Sequence, residues 1–439
     1  MNILIVETVW MGSATYKFLD KTLLTAFSIL PTLQAREIAA ITPKHHKVTV
    51  VNERYTPIDY EEKYDVVHIN FVISTTPHAF EIADAFRKKH IPVVLSGLHV
   101  GGMLQEAKQH ADSVLIGRPE LAWLIALRDI EQHNLQPFYE APPFDDSVQL
   151  PPLRVSLPGF VATGALEATR GCPYQCDFCS ETSTTGSLPY YERPVDEVVA
   201  EIQHIPQKIL MFYDSSLTIH PDYTKTLFTK LRGMHKKCFC NGNANVLACD
   251  QELVRLSKEA GCVAWLIGFE SVSQQTLDAV GKTTNLVDEY ARAVRNIHRY
   301  GMIVIGCFMF GFDTDTPEVF DNTLQVINDL GIDIADFSIL TPFPGTPLYQ
   351  RLMTEGRILT NNWEYYNMGN VVFTPKQMTP EQLQNGVWMM YNRFYAPPYA
   401  LKRILRSLRW GTYPFLVIVA RNMVSMMSRR RVSTPLKND

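Results

Sequence analysis

With 439 residues the chain is too long for one ordinary domain, and two or three are expected. Its apolar fraction of 46% is that of a globular protein, and no apolar run reaches the length of a bilayer span, which sets aside a bundle of membrane helices. The net charge of −4 hides an asymmetry: residues 401–431 hold eight basic residues and no acid, which leaves −12 on residues 1–400, since Lys437 and Asp439 cancel. A basic tail on an acidic body points to an anionic surface as a partner or to a dock on the body itself, and no nucleic-acid partner is expected.

The first residues, Met1 to Glu7, lack a basic region and read as a strand rather than a signal peptide. Eight cysteines in such a chain point to a reducing cytoplasm. Strand patterns follow at Ile3–Val6, Lys47–Asn52, Val66–Val72, Pro92–Ser96 and Ser113–Ile116, with helical stretches such as His78–Lys89 between them. Alternating strand and helix predicts a doubly wound parallel sheet of the Rossmann or flavodoxin kind, over residues 1–135. Ligands of such sheets sit at the carboxyl ends of the strands. Those ends are polar or glycine-rich here: Thr8, Ser74 with Thr75, Gly97 with His99, and Gly117 with Glu120. Residues 136–160 read as a linker, broken by Pro137, Pro142, Pro143, Pro151, Pro152 and Pro158.

A second series begins at Val161–Thr169 and continues with strands at Lys208–Tyr213, Lys237–Asn243, Val263–Phe269, Met302–Phe310 and Ala335–Thr341. One intervening helix is marked by the apolar stripe Val287, Tyr290, Ala291, Val294 and Ile297, and Gly301 stops it. Six strands predict a partial β/α barrel over 161–360, with its chemistry at the carboxyl ends. Residues 361–439 read as a helical accessory region. Its stretch 401–431 is basic and apolar together, either an interfacial helix in peripheral contact with a membrane or a helix packed on the barrel with a solvated basic face.

Cys172, Cys176 and Cys179 fall after the first barrel strand, in a C-x3-C-x2-C run. Three thiolates in one short loop make a soft metal site, and no fourth ligand for zinc lies nearby. A cubane iron–sulfur cluster normally takes four cysteines, so three leave one iron open to chelate a ligand. The other reading is a buried cysteine cluster or a zinc knuckle with a distant ligand. Cys238, Cys240 and Cys249 could ligate a second cluster, although free buried thiols, with Cys262 and Cys307, are the simpler expectation.

The spacing, with Tyr174 and an aromatic Phe178 just before the third cysteine, resembles the radical S-adenosylmethionine (SAM) superfamily. The resemblance implies a 4Fe–4S cluster on these cysteines, whose open iron binds SAM and whose electron splits it to a 5′-deoxyadenosyl radical. It implies an electron donor such as flavodoxin or ferredoxin. It also implies SAM contacts at the strand ends: Asp214 and Ser215 after the second strand, Asn243 after the third, Glu270 and Ser271 after the fourth, Gly306 and Phe308 on the fifth, and Pro342 after the sixth. For Asp214 and Ser215 the plainer reading is a helix N-cap, for Asn243 a turn, and for Glu270 a barrel carboxylate paired with an Arg or Lys.

The segments Val93–Val100 and Ala111–Gly117 resemble the cobalamin-binding domain that precedes the barrel in many members, and Met378–Tyr395 resembles the accessory region of the hopanoid methylase branch. That likeness places Thr8, Ser74, Thr75, Gly97, His99, Gly117 and Glu120 beside a cobalamin. One departure stands out: Val9 occupies the position of the cobalt-ligating histidine of D-x-H-x-x-G proteins, and an aliphatic side chain cannot ligate cobalt. The resemblance implies a cobalamin-dependent radical SAM enzyme that methylates an unactivated carbon of a small-molecule or lipid substrate. Cyclisation, rearrangement or oxidation with the same cofactors, a member that has lost cobalamin, and a non-enzymatic sensor are the alternatives. A methylthiotransferase is disfavoured, because no cysteine precedes Cys172.

Overall fold

The computed structural model describes residues 1–8, 33–53, 56–142, 163–183 and 190–428. Val9, most of the linker, and Arg429 to Arg431 lie outside the described residues. Two six-stranded parallel sheets organise the chain. The first contains β1 (Asn2–Glu7), β2 (Lys47–Asn52), β3 (Val66–Asn70), β4 (Val93–Ser96), β5 (Ser113–Ile116) and β6 (Phe138–Glu140), in the order β2-β1-β3-β4-β5-β6. β3 and β4 are buried along their whole length, as strands of a sheet covered on both faces must be. Helices Thr76–Arg87 and Leu104–His110 cover one face, and Gln34–Ile41 and Pro119–Glu131 the other. The strand order reverses between β1 and β3, which is where such a sheet opens a crevice.

The sixth strand corrects the expected linker. Phe138–Glu140 pairs with β5, and Pro137 is tolerated because it precedes a short edge strand.

The second sheet contains β7 (Thr163–Leu166), β10 (Ile209–Phe212), β11 (Lys237–Asn241), β12 (Cys262–Glu270), β13 (Ile303–Phe310) and β14 (Ile334–Ile339), while β8 (Thr169–Arg170) and β9 (Tyr191–Glu192) form a separate antiparallel ribbon. Neighbours run consecutively from β7 to β14, an open β/α barrel. Burial alternates along β13 and β14: Phe308, Phe310 and Phe337 are buried under the outer helices, whereas Cys307, Met309 and Ser338 are half-exposed on the inner wall. The predicted stripe forms helix Tyr290–Arg299, ended by Gly301 at φ +66.

After the barrel, helix Pro380–Phe394 covers the free edge of β14. The backbone amides of Ala335 and Phe337 donate to the hydroxyls of Tyr395 and Tyr391. Helices Pro397–Ser407 and Thr412–Ser428 then close the amino-terminal mouth of the barrel, where Ile418 meets Met211, Phe239 and Ala264. Arg403 donates to the Phe394 carbonyl and to Asn422, Arg406 to Asp333, and Arg421 to Asp336. Arg406 and Arg421 therefore dock this hairpin on the barrel, and Arg403 ties it to the end of helix Pro380–Phe394. The stretch between barrel and hairpin reaches back the other way: Tyr366 and Val372 enter the core of the first sheet, and Trp363 donates to Glu106.

Candidate active site

The cysteine loop leaves the ribbon strand β8 at the carboxyl end of the barrel. Cys176 is buried, and Cys172 and Cys179 are half-buried. The loop is held from below by the segment 280–282: Asp177 N donates to Val280 O at 3.1 Å, and the Cys176 thiol lies 3.7 Å from Gly281 O. Gly281, at φ +69, has the Gln175 carbonyl 3.2 Å from where a Cβ would be, so a side chain there would crowd the loop. Burial pushes all three thiols up, Cys179 to about 11, so they remain protonated until a metal displaces the protons.

Lys282, which sequence reasoning passed over, supplies the compensating charge. Burial works against its ammonium, but the negative charge of Glu270 and of the Cys176 and Cys179 thiolates outweighs that and keeps its pKa above the ordinary value. It donates to Glu270 Oε1 at 3.2 Å. Glu270 itself sits at φ +60, beyond a bulge against β13, a backbone state that costs a residue with a side chain about 1–3 kcal/mol. Both readings of Glu270 converge: it is a barrel carboxylate paired with a lysine, and it stands at the lip of the lumen beside the cysteines.

Other predicted SAM contacts are placed differently. Asp214 is buried, and its carboxylate accepts from the amides of Ala168 and Thr169 (3.1 and 2.5 Å) and from the Thr169 hydroxyl (2.7 Å). It anchors the turn leading into the cysteine loop and caps no helix, since the next helix is Pro221–Leu231. Gly306 and Phe308 point away from the lumen. Successive strand residues face opposite ways, so Phe308 stacks on Phe269 outside (5.4 Å) while Cys307 faces inward near Glu270 and Asp336. On β11 the lumen-facing amide is Asn241, whose Oδ1 is buried without a partner. Asn243, with an unpartnered Nδ2, caps helix Ala244–Cys249 by position only.

Ser215 is exposed and bonds the Glu181 carboxylate, which follows the cysteines. The Ser271 hydroxyl accepts from Ser273 N within a turn. Tyr174 lies beside Cys172 and Lys282, Phe178 packs edge-on against Phe312, and Pro342 is buried in the loop facing the first sheet. Cys238, Cys240 and Cys262 cluster in the outer core, and Cys249 stands apart at the surface, so the suggested second set of ligands does not assemble.

The carboxyl ends of the two sheets meet. His99 lies against Phe343 (4.5 Å between ring centroids), and the Gly102 backbone abuts Pro344 so closely that a Cβ would fall 2.2 Å from its carbonyl oxygen. His99 is buried with neither ring nitrogen partnered, and burial pulls its pKa down to about 3. A neutral imidazole left unpaired at a crevice is a place for a polar ligand atom. Thr8 and Thr75 share a hydrogen bond of 2.7 Å at the β1/β3 switch point, with Ser74 half-exposed beside them. Gly97 is pressed against the Phe71 carbonyl, and Gly117 turns at φ +80, so both serve backbone packing.

Glu120 lies in a buried ion cluster. It is fully buried and ion-paired to Arg170, which also contacts Glu37 at 2.5 Å and Glu167 at 3.4 Å. Burial opposes the Arg170 charge, and Glu37, Glu120 and Glu167 hold it. Arg118 pairs with Glu167 at 3.1 Å and Glu181 at 4.0 Å. Both flanks of the cysteine loop are thus tied to the first sheet's helices by buried ions.

A barrel with three cysteines on its first loop, fronted by a doubly wound sheet, defines a radical SAM enzyme of two-sheet architecture. Residues 166–327 match the family model of the radical SAM superfamily, and 346–423 match a domain of unknown function (DUF4070). The chain is 29% identical over 398 residues to bacteriochlorophyllide d C-8(2)-methyltransferase of Chlorobaculum tepidum, covering 85% of this chain and 87% of that protein. It is 27% identical over 253 residues to hopanoid C-2 methylase of Rhodopseudomonas palustris, covering 55% of this chain and 46% of that protein. In fold it is similar to the radical SAM methyltransferase TsrM of Kitasatospora setae, with a TM-score of 0.73 at 14% identity, over 98% of this chain and 99% of that one. Residues 166–327 thus carry a radical SAM domain, and over most of its length the chain is similar to radical SAM methyltransferases.

Proposed function

We propose that this protein methylates an unactivated carbon of a large, largely apolar small molecule. The observation that carries the reading is the junction: the three-cysteine loop and the crevice of the first sheet open towards one another, bound by ion pairs on both flanks. When bound, a 4Fe–4S cluster and a cobalamin would supply the electron that cleaves SAM and the methyl group that is transferred. The chain's own residues do the holding. Cys172, Cys176 and Cys179 are the ligands, and the Lys282 ammonium offsets the charge of three thiolates and of a carboxylate brought to the open iron. Glu270, Ser271 and Asn241 offer polar contacts along the lip for SAM, with Ser215 and Tyr174 flanking the loop.

Thr8, Ser74, Thr75 and His99 line the opposite crevice for a corrin. The unpartnered His99 supports that fit, while Glu120, Gly97 and Gly117 serve structure. The names of the relatives, a bacteriochlorophyllide d methyltransferase and a hopanoid methylase, support a substrate of that size and polarity. Pro173 and Gln175 are exposed on the cysteine loop, leaving it open to a one-electron donor such as flavodoxin or ferredoxin. Contact with a membrane surface through the carboxyl-terminal hairpin belongs to the same proposal.

Anaerobically reconstituted protein supplied with SAM and cobalamin should release both 5′-deoxyadenosine and S-adenosylhomocysteine. Deoxyadenosine alone would remove the methyl-transfer reading and leave a radical enzyme of another outcome.

A further inference from the structure

The hairpin that closes the barrel has two unlike faces. Its inner face holds Trp410, Ile418 and Arg421, in contact with the barrel, and Arg403, in contact with the end of helix Pro380–Phe394. Its outer face presents Tyr399, Leu401, Leu405, Leu408, Leu416 and Met423, each between 47% and 58% exposed. These are six of the twelve large apolar side chains exposed among the described residues, gathered within residues 399–423. Leu401, Leu405 and Leu408 fall at i, i+4 and i+7, one stripe of a helix. Leu416 and Met423 continue it at i, i+7 on the second helix. Scattered leucines on a surface need no explanation, but a contiguous set marks an interaction site.

Charge says what covers it. Lys402 and Arg409 are exposed within the same stripe, whereas Arg403, Arg406 and Arg421 are turned inward and paired. From Tyr395 to Asn438 the sequence has no acidic residue, on a chain whose first 400 residues are strongly acidic. No described helix is long and apolar enough to cross a membrane. An amphipathic element that cannot span, with leucines projecting and cations beside them, suits the interface of an anionic bilayer.

We propose that the outer face of residues 399–423 is a peripheral docking surface for an anionic lipid bilayer, with Leu401, Leu405 and Leu408 entering the headgroup boundary and Lys402 and Arg409 contacting lipid phosphates. This deepens the membrane contact proposed above, and it replaces a generally basic tail with one defined face. The surface lies at the mouth of the barrel opposite the cysteine loop, so docking leaves the loop and the crevice of the first sheet uncovered.

The full chain is tested by flotation with vesicles of phosphatidylcholine alone and of phosphatidylcholine with phosphatidylglycerol, while 5′-deoxyadenosine formation is measured separately without vesicles. The wild-type protein should float with the anionic vesicles and release from them as salt rises. L405E/L408E should lose at least tenfold in binding and K402A/R409A about 25-fold, since each cation near an anionic surface contributes on the order of a fivefold factor. Both variants should keep their melting temperature and their deoxyadenosine yield, which separates this result from any failure of the proposed chemistry. Equal binding to neutral vesicles, no binding, or variants that bind as well as wild type would overturn the proposal. So would a dimer, seen by light scattering, that L405E/L408E abolishes, because the face would then belong to a second copy.

Discussion

The two sheets share strand number and parallel pairing, yet they present different surfaces to a ligand. The amino-terminal sheet is covered by helices on both faces, so only its carboxyl edge is available. The barrel sheet is covered on its outer face, and by the hairpin only at the amino-terminal end of its inner face, so the rest of the inner wall is a second ligand surface, lined by Tyr213, Asn241, Glu270, Cys307 and Met309. A doubly wound sheet can clasp a flat cofactor at its edge. A half-closed barrel can enclose a smaller molecule along its wall. Their meeting edge to edge is what brings the two kinds of site together, and the Arg170 cluster is what holds them there.

The largest expected effect separates the two sites chemically. Cys176→Ala should abolish 5′-deoxyadenosine formation entirely, while corrinoid binding, followed by absorbance, persists at the amino-terminal sheet. Loss of both would mean that the sites do not stand apart.

The two faces of β13 can be set against each other next. Phe308→Ala, on the covered side, should cost about 3–5 kcal/mol by urea unfolding. Met309→Ala, on the inner wall, should cost clearly less and appear instead as altered product formation. Equal losses would break the distinction between wall and core.

The junction should respond to a single change. Arg170→Met leaves Glu37 and Glu120 buried without their cation and should cost about 3–5 kcal/mol. If the urea midpoint stays put, the ion cluster does not hold the sheets together.

The smallest effect per pH unit concerns acid. His68 and His99, in the first sheet and its loops, are held neutral by burial with pKa values of about 3. An unfolded histidine binds its proton near pH ~6.5. Between those values the unfolded chain carries more protons, so this contribution is whole above that range and is lost as pH falls, by about 1.4 kcal/mol per pH unit for each histidine. Asp214 and Asp315 in the barrel run the other way: burial raises both to about 6, so their contribution is present at low pH and lost as pH rises through that value. Hydrogen exchange at pH 5.5 and 7, corrected for intrinsic rates, should show the amino-terminal sheet losing protection on acidification before the barrel does. The reverse order would contradict the assignment.

Much of this was legible in the chain. Local alternation places eleven of the strands, because pleat and helix periods leave their mark on neighbouring residues. The cysteine loop is legible because its ligands lie eight residues from end to end. Lys282 was not, since it is twelve residues past Glu270 in a turn with no pattern of its own. The internal partners of Asp214 are not legible either, because a carboxylate at a strand end reads the same whether it meets a ligand or the backbone of Thr169.

By itself, then, the sequence determined the two α/β series, the thiol triad and the apolar character of the last helices, all properties carried by short-range spacing. Tertiary structure alone decided which side of a strand faces the lumen, and that Glu120 pairs with Arg170. It also decided that the basic hairpin turns three arginines inward and leaves its leucines outside. Those outcomes depend on what burial places opposite each charge. A buried ion must find its counterion wherever the fold brings one, often more than a hundred residues away.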